Sequence, residues 1–372
     1  MRLSALNQRR WRNFRANGRA FWSLILLGTL YVLSLGAELI ANDKPLLVSY
    51  RGDLRAPFLF FYAERDFGGD FQTEAVYPDP VVQCLILSGG LQACLDDPAP
   101  VILAAQTGTW PDGAAPEEFE QGFILWAPIP YSYTTINNIG TAAPSAPDGA
   151  HLLGTDDTAR DVLARVIYGF RLSISFALIV SVLTSVIGII AGAVQGFFGG
   201  LTDLIFQRVI EVWGSTPMLY VIIIVAAIWQ MNFWLLVVLS VLFGWMGLVG
   251  VVRAEFLRAR NFEYVRAARA LGVGDGKIMF RHVLPNAMVA TLTMLPFVIT
   301  GAIGSLASLD YLGFGMPSSA PSLGELTQQA KQNLQAPWLA FTAFFTFATM
   351  LALLVFIFEG VRDAFDPRKT FA

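Results

Sequence analysis

Of 372 residues, 55 % are hydrophobic and 14 % charged, against roughly 25 % charged in an ordinary water-soluble domain. The formal net charge is only −3, and residues 20–37, 172–202, 212–252, 282–309 and 332–358 contain no Asp, Glu, Lys or Arg. A soluble enzyme can bury one or two apolar helices; five such gaps exclude that class and point to lipid.

A bilayer core about 30 Å thick takes roughly 20 apolar residues of helix. The gaps predict six spans near residues 21–40, 172–195, 212–229, 233–252, 287–309 and 338–358; the 41-residue gap 212–252 holds two, with Gln230, Met231 and Asn232 as the turn. Residues 1–20 carry six arginines (Arg2, Arg9, Arg10, Arg12, Arg15, Arg19) and no acid, so the positive-inside rule keeps them in the cytosol. The first apolar stretch is long and has no clear small-residue cleavage site behind it, so it is expected to stay as an anchor. Six crossings return the C-terminus to the cytosol and put 42–165 outside. Charge agrees with this topology. Residues 42–161 hold 17 acids against five bases, and residues 253–281 hold seven bases against three acids.

The expected organisation is a cytosolic basic tail (1–20), a transmembrane anchor (21–41), an extracytoplasmic insert (42–165) and a membrane core (166–372). The fold class is an all-α integral membrane protein with a large insert. The insert is rich in Pro, Gly, Asp and aromatics and too long for a hairpin loop, and its weak periodicity supports only a mixed, loop-rich reading. Both cysteines, Cys84 and Cys94, lie in it. In an oxidising compartment two readings stand for them, a disulfide or a pair of free thiols in a small apolar cluster. Small residues recur inside spans (Gly188, Ala191, Gly192, Ala193, Gly244, Gly247, Gly250) and after them (Gly196, Gly199, Gly200), which suits close packing of membrane helices.

Between two spans, residues 261–272 read NFEYVRAARALG. Asn261 suits an N-cap, Glu263 the first turn and Gly272 the C′ position. Tyr264, Ala267, Ala268 and Leu271 fall at i, i+3, i+4 and i+7, on one helical face, with Arg266 and Arg269 on another. Pro285 marks the start of the next span. Such a cytosolic helix has three uses: resting on anionic lipid through its arginines, serving as a solvated linker, or plugging a groove on a soluble partner where small Ala side chains allow close approach.

YVRAARALGVGDGKIMFRHVLPNA (264–287) resembles the coupling motif Glu-Ala-Ala-x3-Gly-x9-Ile-x-Leu-Pro of binding-protein-dependent ATP-binding-cassette importer permeases. Arg266, Ala267, Ala268, Gly272, Leu284 and Pro285 match its positions, with Arg266 in place of Glu and His282 in place of Ile. Both departures resemble the oligopeptide and dipeptide branch. HLLGTDDTARDVLARVIYGFRLS (151–173) resembles that branch's signature ahead of the core helices, with Ala159 where Gly is usual. YLGFGMPSSAPSLGE with LQAPW (311–325, 334–338) and FEGVRDAFDPR (358–368) resemble its last outer loop, with Leu323 for Trp, and its C-terminal end. Residues 1–45 and YAERDFGGDF resemble the Yej-type members, importers of oligopeptides and microcin C.

This resemblance implies a five-helix importer core behind an N-terminal anchor, and a transport subunit that is not itself an enzyme. It implies docking on an ATPase by the helix of Glu263, Tyr264, Arg266, Ala267, Ala268, Arg269, Leu271 and Gly272 with Leu284 and Pro285, the arginines meeting acidic groups on the ATPase. The partners it implies are a second, distinct permease subunit, one or two ATPases holding ATP and Mg²⁺, an extracytoplasmic substrate-binding protein and membrane lipid. The chain needs no cofactor of its own: Gly276-Lys277 is followed by Ile278 and lacks the phosphate-loop spacing. His151 and His282, the two histidines, fall on opposite sides of the membrane and cannot share a metal. Asp310 and Glu359 sit at span ends, where interfacial capping suits them better than proton coupling; Arg208 and Glu211 suit a helix-face pair. The basic loop carries too few charges for nucleic acid. The alternatives are a permease of the same family for metal chelates or glycosides, a secondary transporter or channel with mid-membrane ionisable groups, and a membrane-anchored enzyme centred on 42–165.

Overall fold

The computed structural model describes residues 5–110, 120–137, 140 and 142–365. The chain divides into a unit of Met1–Val32 with Gly169–Ala372 and a unit of Leu33–Tyr168.

The first unit begins with α1 (Ala5–Ala16), which carries Arg9, Arg10, Arg12 and Arg15, and the span α2 (Gly18–Leu35). The second unit follows with the short α3 (Ala37–Ile40) and a three-stranded antiparallel sheet, order β2-β1-β3, of β1 (Leu47–Tyr50), β2 (Asp53–Arg55) and β3 (Phe123–Leu125). Val48 pairs with Arg55 on one side and Ile124 on the other. The β1–β2 connection is Arg51-Gly52, both at positive φ (49° and 78°), the two-residue geometry whose twist matches the flanking strands. Helices α4 (Pro80–Ser88), α5 (Ala93–Asp96) and α6 (Pro98–Thr107) cover the sheet's neighbourhood. Val48, Tyr50, Phe67, Tyr77, Leu85 and Ile86 form their core. Cys84 on α4 and Cys94 on α5 are bridged within that core.

Helices then take over: α7 (Val162–Phe198), α8 (Gly200–Gly214), α9 (Met218–Ile228), α10 (Phe233–Gly244), α11 (Met246–Ala259), α12 (Glu263–Ala270), α13 (Asp275–Lys277), α14 (Leu284–Tyr311), α15 (Leu323–Gln332) and α16 (Pro337–Phe365). Among the described residues five helical runs are long and apolar enough to cross a membrane, six if the bent pair α8–α9 counts as one.

Three boundaries differ from expectation, each for a physical reason. The third span is not one helix over 212–229: α8 and α9 meet at 60°, because Pro217 has no N–H to bond back into the preceding turn. The second span starts at Val162, ten residues before the charge gap opens, since Asp161 Oδ1 accepts the Ala164 N–H at 2.8 Å and starts the helix there. The fifth does not start at Pro285; the helix runs from Asp275 to Tyr311. Residues Ile278–Val283 are π-helical, with the Leu284 N–H bonded five residues back to Met279 O. That wider turn comes immediately before Pro285, whose ring could not join a regular ladder. The expected turn at 230–232 is present, and Asn232 Oδ1 accepts the Leu235 N–H at 3.0 Å to cap α10.

Candidate docking helix and its seat

The seat begins with glycine. Gly188, Gly192 and Gly196 fall at i, i+4 and i+8 on α7. A Cβ there would lie 2.6 Å from Trp245 O, 2.8 Å from Val249 O and 2.5 Å from Arg253 O. Backbone therefore meets backbone along the α7–α11 seam, as small residues allow in membrane helices. Gly247 and Gly250 have nothing within 4 Å of a Cβ, so packing is not their role within the described residues. Asp203 on α8 takes both branches of Arg253 on α11, at 2.5 and 2.6 Å, a bidentate pair of the strong kind.

Where α7 and α11 end, Ala193, Phe197, Val252, Phe256 and Ala259 join Ile278, Met279, Val283 and Ala287 in one buried cluster. Two α12 side chains enter it, Val265 (0 % exposed) and Ala268 (9 %). Burying them fixes a helix that eight residues could not hold alone.

Sequence reasoning placed Tyr264, Ala267, Ala268 and Leu271 on one face; the structure divides them. Ala268 turns inward, while Tyr264 (38 % exposed), Leu271 (84 %) and Ala267 remain outside. Val265, which was missed, is the second anchor, and its only signal was the three-residue spacing to Ala268. The helix is also shorter than 261–272. Phe262 stands at the N-cap without a side-chain bond, and Asn261 instead receives Arg266 Nε on its carbonyl at 3.2 Å. Gly272 does close the helix: at φ +78° its N–H bonds Arg269 O at 2.9 Å, and Val273 N–H bonds Ala268 O at 3.1 Å. This pair of bonds is the Schellman motif, which needs a left-handed C′ residue.

Of the charged members, Glu263 is exposed in the first turn. Arg269 folds back on its own chain, Nε 3.2 Å from Asp275 Oδ1 and guanidinium 5.0 Å above the Phe197 ring. That position differs from the outward one expected for it. Leu284 packs on the same cluster and Pro285 is exposed beside it.

The 151–165 segment, by contrast, is a closed polar knot. Asp156 is fully buried; its Oδ2 accepts Arg160 Nε at 2.7 Å and Arg165 Nη1 at 2.9 Å. Its Oδ1 accepts the Thr158 and Arg160 N–H groups, both at 2.9 Å. The turn between them holds Ala159 at φ +59°, a left-handed position that a Cβ makes costly. Burial raises the carboxyl pKa of neighbouring Asp157, and the Asp156 charge adds to it. His151 Nδ1 lies 2.9 Å from Asp161 Oδ2, under the Tyr131 ring at 4.5 Å. Burial raises the Tyr131 phenol, helped by Asp161.

At the far end of α14, Asp310 is buried. It accepts Ser322 Oγ at 2.5 Å and the Met316 N–H at 2.7 Å, and so folds the loop after it. Arg208 and Glu211 form an exposed ion pair at 2.5 Å. No group of three or more His, Cys, Asp or Glu side chains suited to a metal occurs among the described residues.

Comparison with known proteins gives the seat its context. The family model described as "Binding-protein-dependent transport system inner membrane component" matches residues 184–371. The chain is 51 % identical, over 99 % of both chains, to the inner membrane ABC transporter permease protein YejE of Escherichia coli. It is 49 % identical to the peptidoglycan transport system permease protein YejE of Agrobacterium fabrum, over 99 % of this chain and 94 % of that one. The oligopeptide transport system permease protein OppC of Bacillus subtilis is 34 % identical over 64 % of this chain and 78 % of its own. With its multiple apolar spans, the chain belongs to the family of inner-membrane components of binding-protein-dependent transport systems.

Proposed function

We propose that the chain is the permease subunit of an ATP-driven peptide importer, and that the exposed face of α12 is where a separate ATPase docks. One observation carries this. Val265 and Ala268 lock α12 into the ends of α7, α11 and α14, while Tyr264, Ala267 and Leu271 face away from the chain's own packing. A helix so held moves with the spans beneath it. A push on its outer face would tilt the α7–α11 pair as a unit and exchange inward- and outward-open packings. ATP and Mg²⁺ belong to the ATPase, and a second permease subunit completes the pathway.

The arginine-rich start and the basic 253–281 segment support cytosolic termini, and the acidic 42–161 segment supports an outer insert that meets the binding protein. Peptides as cargo rest on the names of the relatives. The test is ATP-driven uptake of a labelled tetrapeptide by vesicles carrying the full assembly, with Ala267→Glu and Leu271→Glu variants at matched membrane levels. Loss of uptake together with loss of the co-purifying ATPase is expected. Full uptake in both variants would sink the docking assignment, and ATP-independent transport would sink the importer reading.

A further inference from the structure

The N-terminal helix is not a loose basic tail. Phe14 (5 % exposed), Ala20 and Ala364 form a buried cluster with Phe21, Val361 and Phe365. Gly360 lets α16 approach, since a Cβ there would lie 3.1 Å from the Phe14 ring and would strike Ala20 Cβ. Helix α1 is thereby fixed across the ends of two spans, α2 and α16, with Arg9, Arg12 and Arg15 on its exposed side.

Beside that contact lies an open groove of about 470 Å³, within the range of roughly 300–1,000 Å³ typical of small-molecule sites. Its walls are apolar: Trp11, Phe14, Leu24, Ile357 and Val361. Asn7 and Arg10 supply its polar side chains, with the Arg10 guanidinium 4.2 Å over the Phe365 ring and 3.4 Å from Asn7 Oδ1. Trp11 and Trp22, 46 % and 68 % exposed, are residues that favour the membrane–water boundary.

We propose that this groove holds one anionic phospholipid, its acyl chain along the apolar wall and its phosphate at Arg10. An open groove walled mostly by carbon, with Leu24 of the apolar span α2 and Ile357 of the apolar span α16 in its lining, suits hydrocarbon, since water there would leave apolar surface wet. The charge of the headgroup follows from its surroundings. Residues 1–20 contain six arginines and no acid, a field that attracts a net negative lipid and repels the ammonium of a zwitterionic one.

The test is native mass spectrometry of the full chain in its native assembly, released from nanodiscs of phosphatidylcholine doped with phosphatidylglycerol. One phosphatidylglycerol should be retained in preference. Arg10→Gln should lower that preference about fivefold, the effect of one arginine at a charged surface, and Arg10→Lys should restore most of it. Val361→Trp fills the groove and should abolish retention with every arginine in place. Its melting temperature, compared with that of Arg10→Gln, separates a filled groove from a misfolded chain. Equal retention of both lipids would overturn the proposal. So would retention indifferent to Val361→Trp, which is surface attraction only, or cross-linking of position 361 to a protein subunit instead of lipid.

Discussion

The seat of α12 and the polar knot before α7 are both built from residues that resemble family motifs, yet they end differently. The knot closes on itself: the Asp156 carboxylate is enclosed by Arg160, Arg165 and the turn's own N–H groups. The seat closes on one side only, leaving Tyr264, Ala267 and Leu271 uncovered. A carboxylate enclosed by its own chain holds that chain's fold, whereas an apolar helix face left uncovered is the kind of surface the proposed docking needs. Sequence similarity alone does not separate the covered motif from the uncovered one; burial does.

The comparison breaks first at Asp156. Asp156→Ala removes the buried carboxylate that both Arg160 and Arg165 bond and should cost about 3–5 kcal/mol, read as loss of folded protein in thermal unfolding in detergent. Next come two neighbours on α12. Ala268→Glu forces a carboxylate into the cluster and should cost about 2 kcal/mol. Ala267→Glu should stay within about 0.5 kcal/mol of the parent and abolish peptide uptake; equal stability losses in the two variants would erase the inside–outside distinction. Smaller still, Ala159→Gly relieves the left-handed backbone and should stabilise by about 1 kcal/mol at most, raising the unfolding midpoint with uptake unchanged.

The smallest effect concerns pH at the knot. Burial holds the Asp157 carboxyl above its unfolded pKa, so its ionisation opposes folding at neutral pH. The opposition fades as pH falls through the folded value and is gone below the unfolded one. Asp157→Asn should therefore be the more stable form at neutral pH and lose that advantage toward acid. A constant difference across the pH range would remove the burial account.

Most of the membrane architecture was legible because lipid tolerates charge so poorly. Five charge-free gaps marked the order of the apolar runs; the structure shifted several of their ends and bent the third, at residues 200–228, by 60°. Arg165 and Arg171 hid the start of α7, since a charge counts against a span unless a buried partner such as Asp156 answers it. Gly272 was legible because a left-handed C′ position leaves little choice of residue. The inward face of α12 was not. On a helix of two turns the Val265–Ala268 pair and the Tyr264–Ala267 pair have the same spacing, and only the cluster beneath selects between them. The small sheet was equally hidden, because strands of three and four residues carry almost no periodicity.

The α7–α11 seam also constrains how this sequence can drift. A clash between two side chains can be relieved by shrinking either one, so paired positions can change together over time. At Gly188, Gly192 and Gly196 the opposing atoms are the carbonyl oxygens of residues 245, 249 and 253, which every amino acid carries. No second substitution on α11 can make room. In a library varying both helices, these three sites should therefore stay glycine whatever partners are offered, while Gly247 and Gly250, where a Cβ meets nothing within 4 Å among the described residues, should accept replacement freely unless another subunit presses on them.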